Sequence, residues 1–485
     1  MKKTAVIGAG VGGLATAIRL ARMGFEVDVF ESAPTSGGKL AEVRGNGFRF
    51  DAGPSLFTLP ELAIELLDND LQFDIKRLPV ITRYFWSDGL QLNAHADVEE
   101  LCRETETKTS VPAPLFKEYL EETREIYRIT APVFIFNSLH KVKALLKKSN
   151  FPALWGITKL KAFTSLHDFN KKKVGNDRLV QLLDRYATYN GSNPYQTPAT
   201  LRVIAHLEHN LGAWLPEGGM YTIVKSLTRQ AERLGVRFHF NQPVEKLEVK
   251  SGKVEGVKTI SGFYPADIAV SNIDIYRFYA HLLSNKKKLQ ILDRQQRSSS
   301  AIIFYWGIKG NFPQLDVHNI FFSDRYREEF DDLFNRFSII DDPTVYVYIS
   351  SKIFPDDAPE QCENWFVMVN APENVGQNWE ELVKKTRQNI LEKLRKALAV
   401  NLEDKIVFEE VLDPLKIEYK TGSWHGSLYG PSSNNRMSAF QRHPNFSKTV
   451  KGLYFTGGSV HPGGGIPLCL SSAKIVASLI ENEYK

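Results

Sequence analysis

The sequence predicts an α/β fold in three parts: a Rossmann-like domain assembled from separate stretches of chain, an antiparallel-sheet domain and a helical subdomain. A glycine-rich turn joins an apolar run at Thr4–Ile7 to residues with helical spacing. Aromatic-rich apolar runs occur at 299–306, 345–349 and 365–369, and residues from about 98 to 190 are predicted to be mostly helical. With 43% hydrophobic and 24% charged residues, the composition argues against wholesale disorder and against a membrane-spanning bundle.

Gly8, Gly10 and Gly13 form a G-x-G-x-x-G pattern at the turn between the first predicted strand and the first predicted helix. Without Cβ atoms the backbone can approach a pyrophosphate, and the first N–H groups of the helix attract its negative charge. We therefore predict that this turn, including Val11 and Gly12, binds a dinucleotide. A plain glycine loop is the alternative.

Glu31 ends the next apolar run, 18 residues after Gly13. A carboxylate at this distance from the glycines can accept hydrogen bonds from a ribose diol and disfavours a 2′-phosphate. We predict that Glu31 binds the ribose, with a solvated strand end as the alternative.

At Gly37-Gly38-Lys39 the sequence resembles the flavoprotein superfamily of amine oxidases and carotenoid desaturases, in which the ribose-binding acid is followed by Gly-Gly-Arg or Gly-Gly-Lys. The resemblance implies FAD as the cofactor, bound in part by Gly38 and Lys39. The segment Gly47–Ser55 is similar to one that lies near the flavin in the carotenoid desaturases, so Pro54 and Ser55 are implied to contact FAD. A plain hairpin is the alternative for this segment.

A helix after Pro216-Glu217-Gly218-Gly219 and strands at 236–240, 244–249, 254–260 and 263–271 are predicted from the apolar spacing. This helix and meander are similar to the second nucleotide-binding portion of the FAD fold. By that resemblance, Val244 lies against the adenine side of FAD and Asn272 ends the strand that returns to the cofactor.

The stretch Gly452–Pro467 contains an apolar strand, a run of glycines and the start of a predicted closing helix. It resembles the signature of bacterial-type phytoene dehydrogenases, with departures at Val460 and Gly464, and its last residues resemble the branch that forms a 3,4 double bond in 1-hydroxylated acyclic carotenoids. The resemblance places His461 near the flavin as a candidate catalytic residue, with a structural role as the alternative. It also implies cofactor contacts from Gly457, Gly458, Gly465, Ile466 and Pro467.

By this resemblance the chain is a FAD-dependent carotenoid desaturase that takes a hydride from an allylic C–H of an acyclic, 1-hydroxylated carotenoid. A helix beginning near Ile466 would stabilise negative charge on the flavin, and the aromatic strands would line an apolar tunnel for the polyene. Three other functions stay open: a phytoene desaturase acting in several steps, a flavin amine oxidase, and a non-catalytic isoprenoid-binding protein on the same fold.

The region 136–175 contains nine lysines and a single acid, Asp168, a local surplus of +8 in a chain whose net charge is +5. Apolar residues, among them Leu160, Phe163 and Leu166, recur about once per helical turn. This pattern is typical of a helix at an anionic membrane surface. A solvated charged face is the alternative, and the lack of arginine and of any nucleic-acid motif argues against nucleic-acid binding.

From these patterns we predict a FAD-binding domain formed by 1–70, 215–285 and 440–485, a substrate-binding domain formed by 71–100, 195–214 and 286–439, and a helical, membrane-associating subdomain at 101–194. Cys102, Cys362 and Cys469 are widely spaced and His206 and His209 lack a third ligand, so no metal site is predicted. The glycines and Arg19 argue that the apolar N-terminus belongs to the fold rather than to a secretory signal. We expect a cytoplasmic, peripheral membrane protein; the oligomeric state is not predicted.

Overall fold

The computed structural model describes residues 2–141 and 160–484. Numbered in chain order, the strands are β1 Lys3–Ile7, β2 Glu26–Phe30, β3 Glu42–Gly45, β4 Phe48–Asp51, β5 Ile75–Arg77, β6 Val80–Phe85, β7 Gln91–His95, β8 Trp214–Pro216, β9 Arg237–His239, β10 Val244–Lys250, β11 Lys253–Thr259, β12 Gly262–Pro265, β13 Ile268–Ser271, β14 Ser300–Lys309, β15 His318–Phe321, β16 Val345–Ile349, β17 Cys362–Ala371, β18 Ile406–Leu412 and β19 Leu453–Phe455.

The helices fall into two length classes. Those of eight residues or more are Val11–Arg22, Val98–Thr109, Ala113–Thr130, Leu166–Val174, Asp177–Asp184, Tyr221–Arg233, Lys286–Asp293, Trp379–Leu398, Pro414–Thr421 and Ile466–Tyr484. Shorter α-helical segments are Glu61–Ile64, Val203–Ala205, Ile275–Arg277, Tyr326–Asp331 and Ser438–Gln441.

A five-stranded parallel sheet, in the order β19–β13–β1–β2–β9, forms the Rossmann-like part of the fold. Its central strand β1 is almost wholly buried, as expected for a parallel strand covered on both faces. The carboxyl ends of its strands meet at one edge, which brings together Gly8, Glu31, Asn272 and Thr456, the residues that follow β1, β2, β13 and β19. Ligands of open α/β sheets bind at this edge.

The predicted meander forms a separate three-stranded antiparallel sheet, β10–β11–β12. The single strand predicted at 263–271 is wrong, because the chain divides there into β12 and β13, which belong to different sheets. Pro265 has no N–H to continue the ladder, and the Asp267 N–H donates to the Lys3 carbonyl at 2.9 Å. The chain therefore crosses from the small sheet to the parallel one.

A seven-stranded sheet, β18–β14–β17–β16–β15–β6–β7, forms the second large layer, and in the described chain only the β6–β15 pair of this sheet is parallel. In 345–348 valines alternate with tyrosines, and in 365–370 Trp and Val alternate with Phe and Met, which predicts that the two sets lie on opposite faces of the sheet. The structure confirms this prediction. Val345, Val347 and Trp365 pack with the helix Trp379–Leu398 in one buried cluster. Tyr305, Tyr346, Tyr348 and Phe366 face the opposite way and pack with residues of the Rossmann-like part.

The segment Tyr84–Leu92 predicts a hairpin around Ser87-Asp88-Gly89, and β6 and β7 confirm it. The helical spacing of leucines and isoleucines from Glu61 to about Phe73 predicts one helix, but this prediction is wrong in length, since the α-helix ends at Ile64. The Asp68 N–H donates to the Gln230 side chain at 2.7 Å, and this tertiary bond replaces a helical one.

The prediction that 98–190 is mostly helical is confirmed in the described residues, with non-helical stretches that include 110–112, 136–141 and 161–165. The central part of the basic region, 142–159, lies outside the described residues. Within the described ranges, no helix combines the length and the apolar character needed to cross a bilayer.

Candidate flavin site

The glycine turn after β1 has room for backbone but not for side chains. Gly8 has φ +96° and its N–H donates to the Phe30 carbonyl at 2.8 Å. A Cβ on Gly13 would lie 2.1 Å from the Gly8 carbonyl oxygen, so helix and strand could not approach with any other residue there. The helix Val11–Arg22 begins directly after this turn, and its first N–H groups have no intrahelical partner. This cradle fits the pyrophosphate of a dinucleotide.

The Asn272 side chain lies among three of the glycines. A Cβ would lie 2.7 Å from Asn272 Oδ1 if placed on Gly10, and 2.8 Å and 2.4 Å from Asn272 Nδ2 if placed on Gly12 and Gly457. A Cβ on Gly12 would also lie 3.2 Å from Gly457 Cα. The structure thus brings the N-terminal and C-terminal glycine motifs into contact around one amide side chain.

Glu31 connects the end of β2 to the glycine turn. Its Oε2 accepts a hydrogen bond from the Ala9 N–H at 2.7 Å, and its Oε1 accepts one from the Ala33 N–H at 2.9 Å. Two carboxylate oxygens offer about four acceptor positions, so acceptor capacity remains for the hydroxyls of a ribose. The ribose contact itself stays a prediction.

Val244 begins β10 beside this acid. The Gln242 N–H, two residues earlier, donates to the Glu31 carbonyl at 2.9 Å, so the loop that leads into Val244 passes along the predicted ribose site. The assignment of Val244 to the adenine side stays a prediction.

The Gly-Gly-Lys turn lies against both the glycine turn and the C-terminal part of the chain. The Gly37 N–H donates to the Ala9 carbonyl at 2.9 Å, and Gly38 has φ +60°. Lys39 Nζ donates to the main-chain carbonyls of Ser427 and Leu428 at 3.1 Å and 2.6 Å. Burial lowers the pKa of Lys39 to about 8. This lysine therefore fixes residues 427–428 next to the predicted cofactor site.

Three tyrosine hydroxyls of the seven-stranded sheet hold the loop from Asp51 to Ser55. Tyr348 donates to Asp51 Oδ2 at 3.0 Å, Tyr305 donates to the Ala52 carbonyl at 2.8 Å, and the Tyr346 hydroxyl bonds to Ser55 Oγ at 2.7 Å. Pro54 lies within the same loop. The aromatic face of the sheet is thus joined directly to the loop predicted to contact the flavin. The sequence alternation predicted that face but not its hydroxyl partners.

The C-terminal glycines lead into the closing helix as predicted. Gly465 has φ +105° and the helix runs from Ile466 to Tyr484, with Pro467 in its first turn, where a missing N–H costs no helical bond. A Cβ on Gly458 would lie 3.3 Å from Gly464 Cα, so the two strands of this glycine loop are closely apposed. The helix N-terminus offers a favourable position for negative charge at this loop.

His461 is buried and hydrogen-bonded rather than open to a cavity. Its Nε2 lies 2.9 Å from the Asn137 carbonyl oxygen, and its own carbonyl accepts bonds from Asn445 Nδ2 and Ser472 Oγ at 2.7 Å and 2.9 Å. Burial lowers the pKa of His461 to about 4. The contact with Asn137 joins the C-terminal glycine loop to the start of the basic region. A catalytic role for His461 stays a prediction without support from the geometry.

We expect acid to destabilise the protein in part through His461. Because the folded pKa is near 4 and the ordinary value near 6.5, the folded state binds fewer protons between these values. The contribution of His461 to the free energy of unfolding is therefore largest above pH 6.5 and falls as the pH drops towards 4. At about pH 5.5 the loss from this residue is about 1.4 kcal/mol. Thermal unfolding of wild type and His461→Gln at several pH values measures this loss of stability. The variant is expected to lose less stability in acid than wild type. An equal loss in both proteins would contradict the prediction.

A buried cluster of charged side chains contacts the loop 51–55 through Asp51. Arg49, on β4, donates to Asp51 Oδ1 at 2.8 Å and to both carboxylate oxygens of Asp357 at 2.6 Å and 2.7 Å. Burial raises the pKa of Asp51, and the Arg49 guanidinium opposes that shift. No local sequence signal pointed to Asp357, because it lies 308 residues from Arg49 in the chain.

A second buried cluster surrounds Glu208 between the helical subdomain and the sheet. Glu208 accepts hydrogen bonds from Arg185 at 3.0 Å, from Tyr186 at 3.1 Å and from Tyr189. His209 bonds to the Tyr186 hydroxyl at 2.5 Å. Within the residues described, no group of histidines, cysteines and acids has an arrangement suited to a metal.

The described parts of the basic region correct one expectation. Leu160 and Leu166 are buried in the protein, so they do not belong to a surface apolar face; Phe163 is exposed. Lys173 forms ion pairs with Glu118 and Glu122 at 2.7 Å each. The charge surplus counted along the sequence is thus partly neutralised by acids from a neighbouring helix, which a local count cannot include.

Comparison with known proteins gives full-length matches. The chain is 47% identical over 486 residues to a 1-hydroxycarotenoid 3,4-desaturase from Flavobacterium sp. (strain P99-3), with 99% of both chains covered. It is 31% identical to a 4,4'-diapolycopene oxygenase from Methylomonas sp, covering 99% of this chain and 98% of that protein. An oxidoreductase structure from Methanosarcina mazei shares the fold, with a TM-score of 0.64, 18% identity and coverage of 99% and 100%.

The family model "Flavin containing amine oxidoreductase" matches residues 11–480, nearly the whole chain. Together with the dinucleotide cradle, this match confirms the prediction of FAD. The chain belongs to the family of flavin-containing amine oxidoreductases.

Proposed function

We propose that the protein is a FAD-dependent desaturase that forms the 3,4 double bond of an acyclic carotenoid carrying a hydroxyl at C1. The observation that carries this proposal is the 47% identity over 99% of both chains to a 1-hydroxycarotenoid 3,4-desaturase. The aromatic face of the seven-stranded sheet supports it, because that face adjoins the predicted flavin loop at Asp51–Ser55 and suits an apolar polyene better than a small polar amine.

When bound, FAD supplies a two-electron acceptor for the hydride. The chain contributes binding, orientation and electrostatics. Residues 8–13 and Glu31 would hold the adenosine diphosphate half, and the first turn of the helix Ile466–Tyr484 would favour negative charge on the flavin ring.

The substrate loses a hydride and then a proton from the neighbouring carbon. After hydride loss, positive charge is delocalised along the polyene, and aromatic rings such as that of Tyr346 can stabilise it by cation–π interaction. This delocalisation makes the neighbouring C–H strongly acidic, so we assign no dedicated base. Tyr346 fits this role because its ring is held through its hydroxyl by Ser55 at 2.7 Å and by His318 at 2.8 Å.

The proposal is tested by expressing the chain alone in cells that are supplied with a panel of acyclic carotenoids, followed by chromatography and mass spectrometry of the pigments. The expected product of the 1-hydroxylated carotenoid has two hydrogens fewer and a longer chromophore. A product that has instead gained oxygen would favour the oxygenase activity named for the Methylomonas relative. Oxidation of phytoene in several steps, or of an amine only, would refute the proposal.

We further propose that the protein binds the surface of anionic membranes through the basic region 136–175. A carotenoid resides in lipid, and lysines near a membrane surface each contribute about 1 kcal/mol of attraction to anionic lipid. Part of this region, 142–159, lies outside the described residues, so the proposal rests on its sequence and on its described flanks.

Neutralising the lysines between 141 and 161 is expected to weaken binding to anionic vesicles by at least about tenfold at low salt. Vesicle sedimentation measures the bound fraction of a variant carrying glutamine at Lys141, Lys143, Lys147, Lys148, Lys159 and Lys161. A matched control replaces six exposed lysines elsewhere: Lys286, Lys287, Lys384, Lys385, Lys396 and Lys420. Equal binding by wild type and the first variant would contradict the proposal.

A further inference from the structure

Three large apolar side chains are exposed on one side of the molecule. Phe163, Met437 and Phe440 have 77%, 54% and 49% of their surface exposed. We call these three residues the apolar patch. Isolated exposed hydrophobic residues are common, but a group with a basic surround indicates an interaction surface.

Contacts show that the patch is one surface. The Arg436 guanidinium lies 5.6 Å from the centroid of the Phe163 ring, and the Phe440 N–H donates to the Met437 carbonyl at 2.9 Å. His140 Nε2 lies 3.3 Å from the Phe440 carbonyl oxygen. The turn 434–441 therefore contacts the basic region 136–175 at two places, His140 and Phe163.

The charges nearest the patch are mostly positive. Arg436, next to Met437, and Lys161, two residues before Phe163, are exposed, and neither forms an ion pair with an acid in the described part of the chain. Asp168 is the acid on this side, and its carboxylate accepts a hydrogen bond from Ser165 Oγ at 2.7 Å. This surface is therefore suited to an anionic partner.

A polar cleft opens between the two segments that carry the patch. It has a volume of about 500 Å³ and is lined by hydroxyl and amide side chains, among them Thr164, Ser165, Gln196 and Asn434. At a membrane surface, acyl chains, phosphates and polar headgroups follow one another in layers. This side of the molecule offers a surface for each: exposed apolar side chains for the acyl chains, basic residues for the phosphates, and a polar cleft for the headgroups.

We propose that the turn 434–441 is a second membrane-docking element, which inserts Met437 and Phe440, together with Phe163, into the acyl boundary of an anionic membrane. This inference rests on the proposed membrane binding and adds to it, because residues 434–441 lie about 260 residues from the basic region in sequence and carry apolar rather than electrostatic attraction. A protein partner is the other occupant that the test can reveal.

The electrostatic and the apolar contributions to membrane binding respond differently to salt. Attraction between lysines and anionic lipid is screened at high ionic strength, whereas burial of apolar side chains persists. Wild type is therefore expected to keep a residual fraction bound to phosphatidylglycerol-containing vesicles at about 0.5 M salt. The double variant Met437→Ser/Phe440→Ser is expected to lose this residual binding by about tenfold or more.

A matched control removes two exposed apolar residues from the β11–β12 hairpin, Ile260→Ser/Phe263→Ser, whose side chains are 64% and 53% exposed. This control should bind as wild type does. A Phe440→Trp variant adds a direct readout, since its added fluorescence should be quenched by brominated lipids in the vesicles.

The outcomes separate the two proposals. If wild type does not bind vesicles at any salt concentration, the proposed membrane binding fails. If wild type binds but the double variant retains its high-salt binding, or if brominated lipids do not quench the tryptophan at 440, the inference about the turn 434–441 is refuted. Capture of a protein by the patch without vesicle binding would likewise refute it.

Discussion

Replacing Glu31 with arginine is expected to abolish retention of FAD. The substitution removes the acceptor for the ribose and also the two bonds to the Ala9 and Ala33 N–H groups at 2.7 Å and 2.9 Å. It places a guanidinium donor, which cannot accept a hydrogen bond, beside N–H groups that then lack a partner. We expect FAD affinity to fall by about 100-fold or more. The flavin-to-protein absorbance ratio after gel filtration measures retention, and fluorescence titration of the apoprotein measures affinity.

Two further variants make this result interpretable. Glu31→Gln keeps an oxygen acceptor and should retain more flavin than Glu31→Arg. Glu232→Arg places the same charge change on an exposed position of the helix Tyr221–Arg233 and should leave flavin content unchanged. Circular dichroism confirms that each variant is folded. Unchanged flavin content in a folded Glu31→Arg protein would remove Glu31 from the cofactor site.

Replacing Arg49 with leucine is expected to cause the largest loss of stability. Arg49 is buried between two buried carboxylates, Asp51 and Asp357, and breaking one partner of such a cluster costs about 3–5 kcal/mol, because uncompensated charge stays behind. The loop Asp51–Ser55 should also loosen, since Asp51 holds the Tyr348 hydroxyl at 3.0 Å and the Met220 N–H at 2.9 Å. Thermal unfolding with and without added FAD measures both effects.

The neighbouring strand supplies a matched control. Arg44 lies opposite Arg49 in the β3–β4 hairpin, but its side chain is 62% exposed. It pairs with Glu42, whose side chain is 12% exposed and also lies 3.5 Å from Arg49. Arg44→Leu should change stability by about 1 kcal/mol or less. Equal losses in the two variants would show that the buried cluster does not support the loop.

The dinucleotide-binding part could be predicted from sequence because its signals are local. Each of these signals affects the backbone only a few residues away from it. They are the glycines Gly8, Gly10 and Gly13, the acid Glu31, and the helix start at Ile466. Short-range patterns of this kind are readable without knowledge of distant contacts, and the structure confirms the turn, the strand ends and the closing helix.

The parts that could not be predicted depend on contacts between distant residues. The side-chain alternation in Val345–Ile349 predicted which face the tyrosines occupy, but not that their hydroxyls would bond to Asp51 and Ser55. Likewise, Leu160 and Leu166 fit a surface helical pattern and are nonetheless buried. Leu160 packs against Ile126 and Ile129 of the helix Ala113–Thr130. The pairing of Lys173 with Glu118 and Glu122 escapes a local charge count for the same reason.

The position of Asn272 has a consequence for the order in which the enzyme is made. Its amide lies against Gly10 and Gly12 from the beginning of the chain and against Gly457 from near its end. During synthesis, the ribosome has released the first two of these segments long before the third emerges. The cradle can therefore form only after Gly457 has left the ribosome, and we expect full affinity for the cofactor only from that point onwards.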